Sequence, residues 1–166
     1  AIKQMVGLFQ APNEGSRWYV VSQSGLVQWF DNQAGAKKLH PFIDLSSRVR
    51  NAGEMGLLGM AFDPHYLGSG SGSGKKGGAV YFSYVDKQRR SIISRINHQG
   101  DEPLSLKNEV VLLTLPQPAG NHNGGHIAFG PDGYLYIGFG DGGGSNDIYQ
   151  HGQNSQSLFG TLMRVA

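Results

Sequence analysis

In Gly120-Asn-His-Asn-Gly-Gly-His126 a histidine stands between asparagines in a glycine-rich loop, directly before two short apolar runs, His126–Phe129 and Tyr134–Phe139. A neutral imidazole titrates near physiological pH and can take a proton from a hydroxyl, and glycine loops let a ligand approach the backbone. His122 is therefore a candidate general base. The other reading is a loop histidine that hydrogen-bonds a neighbouring carbonyl. Asn121 and Asn123 can orient the ring or a ligand, or can sit there because asparagine tolerates left-handed backbone. Glu54 lies in a similar loop, Asn51-Ala-Gly-Glu-Met-Gly56, again just before an apolar run. It can share a cavity with His122 if the fold gathers both loops at one end, or can be an exposed loop carboxylate.

Two other patterns need weighing. Gly138-Phe-Gly-Asp-Gly-Gly143 matches the G-x-G-x-x-G dinucleotide fingerprint in form. The context argues against it: Ser145 to Gln156 has no apolar stripe for a helix, and no acidic residue follows about 20 positions on. Asp141, Asn146 and Asp147 in a glycine loop offer oxygen ligands for Ca²⁺, but their spacing departs from the EF-hand loop. His126 and His151 lack partners at metal-ligand spacing, and no G-x-S-x-G elbow is present.

The elements that must position these groups are short β-rich runs separated by turns. They are 6–11, 17–23, 26–30, 41–45, 56–62, 79–85, 91–96, 110–115, 126–129, 134–139 and 158–165. Residues 45–49 read as one helical turn, and no amphipathic helix is evident. The runs fall into sets beginning near Val6, Gly56 and Gly125. The second and third sets open alike, Gly-Met-Ala-Phe-Asp-Pro64 against His-Ile-Ala-Phe-Gly-Pro131. A repeating four-strand unit with this echo predicts an all-β fold, a β-propeller of four-stranded blades. The first blade spans about 6–50, the second about 56–118 and a partial third about 125–166, all in one domain. Two blades and part of a third do not close a ring. The expectation is thus the N-terminal part of a larger propeller, or a piece completed by an oligomer partner. Residues 67–78, Leu-Gly-Ser-Gly-Ser-Gly-Ser-Gly-Lys-Lys-Gly-Gly, read as a flexible inserted loop.

Composition agrees. The 166 residues include 26 glycines, with 16% charged and 39% hydrophobic residues, which suits a turn-rich β protein with a core. Net charge is +2, and the 14 lysines and arginines are scattered, with Lys37-Lys38, Lys75-Lys76 and Arg89-Arg90 as isolated pairs. These read as solvated loop charges and not as a nucleic-acid footprint. There is no cysteine, hence no disulfide framework or thiolate site. No apolar run approaches the ~20 residues of a membrane span.

Glu54-Met-Gly-Leu-Leu-Gly-Met-Ala-Phe-Asp-Pro64, Asn121-His-Asn-Gly-Gly125, Phe129-Gly-Pro-Asp-Gly-Tyr-Leu-Tyr-Ile137, Gly140-Asp-Gly-Gly143 and Gln153-Asn-Ser-Gln-Ser-Leu-Phe-Gly-Thr-Leu-Met-Arg164 together resemble the soluble PQQ-dependent sugar dehydrogenases. That family includes glucose and sorbosone dehydrogenases, aldose sugar dehydrogenases and hedgehog-interacting-protein-like propellers. The resemblance implies a six-bladed propeller with pyrroloquinoline quinone (PQQ) over the channel. It implies that His122 takes the proton from the C1 hydroxyl of an aldose sugar while hydride passes to the quinone, giving a lactone. It also implies an external electron acceptor and a periplasmic or secreted location. Glu54 and Asn121, with His122, fall at cofactor-binding positions, and Asn146 and Asp147 in a loop that approaches substrate. Glu54 stands where the glucose-oxidising members carry glutamine, Asn121 where they carry aspartate, and His126 where many carry arginine. The basic residues that grip the quinone carboxylates and the Ca²⁺ ligands are implied to lie mostly outside this chain. A non-catalytic propeller used for binding or self-assembly is the competing expectation.

Overall fold

The computed structural model describes residues 2–67, 77–100 and 103–166. The inserted loop expected at 67–78 thus lies, from 68 to 76, outside the described residues, as does Lys75-Lys76. Its flanks are tied together, with Leu67 and Gly77 exchanging backbone hydrogen bonds of 2.8 and 2.9 Å.

The described residues form three antiparallel sheets, each a meander in sequence order. The first holds β1 (Met5–Phe9), β2 (Arg17–Ser22), β3 (Leu26–Asp31) and β4 (His40–Asp44). The second holds β5 (Leu57–Phe62), β6 (Gly77–Val85), β7 (Arg90–Gln99) and β8 (Glu109–Pro116), and the third β9 (His126–Phe129), β10 (Leu135–Gly138) and β11 (Leu162–Val165). A 3-10 turn, Leu106–Asn108, precedes β8. β-Branched and aromatic residues dominate these runs, as fits half-buried pleated surfaces. No α-helix occurs among the described residues, and none of their helices is long and apolar enough to cross a membrane.

The second sheet is packed on both faces. Its Met60, Phe62, Val80, Phe82, Ile92 and Ile96 pack against Tyr19, Val21, Val27 and Phe42 of the first sheet. There the Tyr19 ring meets Phe42 and Phe62 edge-on, at 4.8 and 4.9 Å between centroids. The alternate positions, Ala61, Tyr81, Ile93, Leu113 and Leu115, pack against Ile127, Leu135, Ile137 and Phe139 of the third sheet. Successive side chains on a strand point to opposite faces, so one strand supplies both interfaces, and its sequence is an unbroken apolar run.

The sheets fan out from their first strands, β5 lying against both β1 and β9. A Cβ at Gly59 would sit 2.4 Å from the Gly125 carbonyl oxygen and 3.2 Å from the Ile127 nitrogen, so only glycine lets β5 and β9 approach this closely. The chain is all-β, its sheets stacked as blades of a β-propeller.

Most run boundaries move by one to four residues, β1 stopping at Phe9 and β7 running on to Gln99, and two of the shifts come from turns. β10 starts at Leu135 and not at Tyr134, because Asp132 to Tyr134 belong to a turn closed by Gly133 N–H to Gly130 O and Tyr134 N–H to Asp132 Oδ1. β11 starts at Leu162 because Leu158–Thr161 is held as a turn, Thr161 Oγ1 donating to the Leu158 carbonyl. The helical turn at 45–49 is present, with the Leu45 carbonyl accepting from Arg48 and Val49.

Candidate active site

Three loops meet at one end of the sheets: 45–56 before β5, 117–125 before β9 and 139–161 between β10 and β11. His122 lies where they join. Its backbone is left-handed (φ 52°), an unfavourable region for a residue with a Cβ, and neighbouring contacts hold it there. Its N–H donates to Glu54 Oε2 at 2.5 Å, across 68 positions of sequence. Its Nδ1 lies 2.9 Å from Asp141 Oδ1. Behind it the Gly140 backbone comes so close that a Cβ there would sit 2.0 Å from the His122 carbonyl oxygen.

Asp141 fixes the state of the ring. Its carboxyl is held below the usual carboxylate range, first by the Gly143 N–H and then by the His122 ring, while desolvation opposes. At neutral pH it is an ionised, acceptor-only group, so the His122 Nδ1 bears the hydrogen. In the neutral imidazole Nε2 then carries the lone pair. The side chain of His122 is 44% exposed, so that lone pair is offered at the surface of the loop cluster.

The remaining residues mostly build the loops. The buried Asn123 donates its amide to the Ala119 carbonyl (3.3 Å), and the Ala119 N–H donates to Gly142 O (3.1 Å), closing the histidine loop onto the 141–143 turn. Asn121 Oδ1 accepts the Gly144 N–H at 3.4 Å. Both Asp147 carboxylate oxygens are used inside their own turn, accepting the N–H groups of His151 and Gly152 at 2.9 Å. His151 reaches the Asp141 carbonyl (Nδ1 to O, 2.7 Å) and stacks on Phe159, so it braces the same turn. Asn146 is exposed at φ 59°.

The structure thus joins His122 directly to Glu54, while Asn121, Asn146 and Asp147 belong to the loops that wall the 141–152 segment. His126 is exposed on β9, paired in register with Gly138, and lines a cleft of about 460 Å³ between β1, β5 and β9 with Phe9, Phe62 and Phe129. Asp141, weighed in the sequence only as a metal ligand, is the residue that holds the histidine. A signal for it existed. β9 and β10 pair His126 with Gly138, and continuing that register outward sets residue 122 beside 141 and 142.

No group of three or more metal-ligating side chains occurs among the described residues. Both Asp147 oxygens and one Asp141 oxygen are engaged by hydrogen bonds in and around the 141–152 segment. The fit to PQQ is divided. An outward imidazole with a fixed tautomer suits proton abstraction beside a quinone. The quinone's three carboxylates need cations, yet His122 is flanked by Glu54 and Asp141, and no lysine or arginine occurs between Lys107 and Arg164. Arg164 itself is on β11, pairing Asp132 and lying over the Tyr134 ring. These residues fit the base and do not fit the grip on the cofactor.

Comparison with known proteins places this arrangement. The chain is 27% identical over 179 aligned residues to human Hedgehog-interacting protein, covering 99% of this chain and 24% of that protein. It is 32% identical over 157 residues to the HIPL1 protein of Arabidopsis thaliana, covering 75% of this chain and 23% of that protein. The PQQ-bound aldose sugar dehydrogenase of Streptomyces coelicolor superposes with a TM-score of 0.77 at 27% identity, over all of this chain and 45% of that one. The chain therefore spans about a quarter of the length of these curated relatives and under half of the solved enzyme. The pattern of the Glucose / Sorbosone dehydrogenase family matches residues 3–166, and the chain belongs to that family.

Proposed function

We propose that this chain carries the proton-abstracting part of a quinoprotein aldose dehydrogenase, with His122 as the base. The observation that carries the reading is the Asp141–His122 pair. An ionised carboxylate engages Nδ1–H, which in the neutral ring leaves the lone pair on Nε2 of a half-exposed side chain to accept the C1 hydroxyl proton of an aldose. Glu54 holds the histidine backbone and Asp141 holds the ring, so the nitrogen is positioned before substrate arrives. When bound, PQQ supplies the hydride acceptor, chemistry that no side chain offers. Glu54 and Asn121 border that cofactor, and Asn146 and Asp147 belong to the loop nearest the sugar. The cations for the quinone carboxylates, any Ca²⁺ beside it and the docking of an external electron acceptor are properties of the whole protein. So is its periplasmic or secreted location.

The test uses the full-length protein that contains this chain, loaded with PQQ and offered aldoses with a redox dye as acceptor. Replacing His122 by Ala is expected to lower kcat by about 10²–10⁴. Equal turnover in the variant refutes the assignment.

A second reading has its own support. Similarity to Hedgehog-interacting protein and the absence of lysine and arginine from the 117–125 and 139–161 loops favour a propeller used for binding, with further blades or an oligomer partner covering its open faces. Under that reading the full-length protein binds no PQQ and oxidises no aldose, with or without His122.

A further inference from the structure

Basic residues far apart in sequence converge in the fold. Arg48 and Arg50 lie in the turn between β4 and β5, Lys87 and Arg89 in the turn between β6 and β7, and Arg90 at the start of β7. A bridge between Val49 and Asp86 and the Arg50 N–H to Val85 carbonyl bond (2.9 Å) lock turn and hairpin together. All five cations are exposed, and Arg48, Lys87 and Arg90 line a single cleft of about 390 Å³. The nearby carboxylates are spoken for. Asp86 is buried and forked by Arg90 at 2.6 and 2.7 Å, and Glu109, its side chain 5% exposed, accepts the Tyr84 hydroxyl and pairs with Arg48. Asp44 caps the Ser46 N–H. With Glu54 of the same β4–β5 turn, engaged by the His122 N–H, cations outnumber carboxylates five to four, and Arg50 and Lys87 pair with none of the four in the structure.

The band sits beside the candidate active site. The Arg89 carbonyl accepts the N–H of Gln117, where the histidine loop begins. By contrast the loops of the third sheet carry no cation at all from Asn108 to Met163.

We infer that this band is a docking surface for the carboxylate-rich face of a partner protein. Four of the five cations are arginines, whose planar forks are suited to pairing carboxylates bidentately, and Arg90 already directs two of its N–H groups at the Asp86 Oδ2. The cleft lining contains Tyr84 as its only aromatic residue, and that ring is buried, so there is no platform for stacking bases. The cations sit at the end of a sheet in which β6 and β7 are flanked by β5 and β8, and not on a free helix or ribbon that could enter a nucleic-acid groove. Such a surface steers an oppositely charged partner to the site end of the propeller, and salt screens it.

The experiment uses this chain and a fluorescent 20-residue poly-L-glutamate, followed by anisotropy at low and high salt. The test variant is Arg50→Glu with Lys87→Glu, which leaves both buried carboxylates paired. The control is Lys37→Glu with Lys38→Glu, the same charge change in the β3–β4 loop at the opposite end of the sheets. Binding to the unaltered chain is expected, weakened at least about tenfold by the test variant and by 0.5 M salt, and within about twofold in the control. Three results overturn the inference: no binding, equal loss in both variants, or tighter binding of dextran sulfate or oligothymidine at matched charge. Circular dichroism showing the same sheet signal in both variants excludes unfolding as the cause of a loss.

Discussion

Adding one methyl group at Gly140 should dislodge the candidate base without touching its side chain. The Cβ of Gly140→Ala would lie 2.0 Å from the His122 carbonyl oxygen, 2.8 Å from its carbon and 3.3 Å from its Cα. All three are backbone atoms, so no rotamer change relieves the overlap. Ordinary contact requires a separation above about 3 Å, and the 122 backbone must therefore retreat by roughly 1 Å. His122 is tied by contacts of 2.5 Å to Glu54 and 2.9 Å to Asp141, and a shift of that size takes both towards the limit of hydrogen bonding. Overpacking costs about 1–3 kcal/mol. The weakened hydrogen bonds are solvent-exposed and add about 1 kcal/mol at most. The expected loss of unfolding free energy is about 1–4 kcal/mol. It is measured by urea denaturation, with ¹H–¹⁵N spectra of the His122 ring reporting the contact to Asp141. Gly15→Ala is the control, since nothing lies within 4 Å of its Cβ and its φ is ordinary. A loss below about 0.5 kcal/mol in Gly140→Ala, with the ring signals unchanged, would refute the close-approach reasoning.

Other outcomes follow from the same geometry. The Asp141 carboxyl is depressed in the fold, so its stabilising contribution is present above the ordinary carboxylate pKa, near 4, and is lost as pH falls through the lower folded value. Asp141→Asn should therefore flatten part of the acid limb of stability below about pH 4, and identical limbs in the two proteins would contradict the pairing. Phe82 is fully buried between the first two sheets, and Phe82→Ala should cost about 3–5 kcal/mol in urea unfolding. Val110, 47% exposed on β8, should tolerate alanine within about 0.5 kcal/mol. Calorimetry of PQQ with this chain should give no micromolar affinity, because the 117–125 and 139–161 loops around His122 carry no lysine or arginine and Glu54 and Asp141 flank the ring.

Strand positions were legible because strand and turn signals are local. Arg17-Trp-Tyr-Val-Val-Ser22 and Leu26-Val-Gln-Trp-Phe-Asp31 flank a Ser-Gly turn, and periodicity with glycine punctuation suffices to place them. Runs at the third sheet were overextended by one residue at Tyr134 and by four at Leu158, where side-chain and backbone bonds of a turn outcompete the ladder. The burial of β5 on both faces was also readable in the unbroken apolar run of Leu57–Phe62, whereas the outer strand β8 is largely exposed.

The sequence by itself determined an all-β chain of short strands in repeating sets and a histidine in a glycine-rich loop, because these depend on residues close along the chain. Tertiary structure alone decided which side chains meet. Asp141 reaches His122 only once the β9–β10 register is set, and Glu54 only once the second and third sheets pack. Arg48 and Arg50 join Lys87, Arg89 and Arg90 only through the Val49–Asp86 bridge. Such contacts arise between residues far apart in sequence, where local pattern carries no information about distance. The function of a loop histidine or an arginine pair is set by what the fold brings beside it.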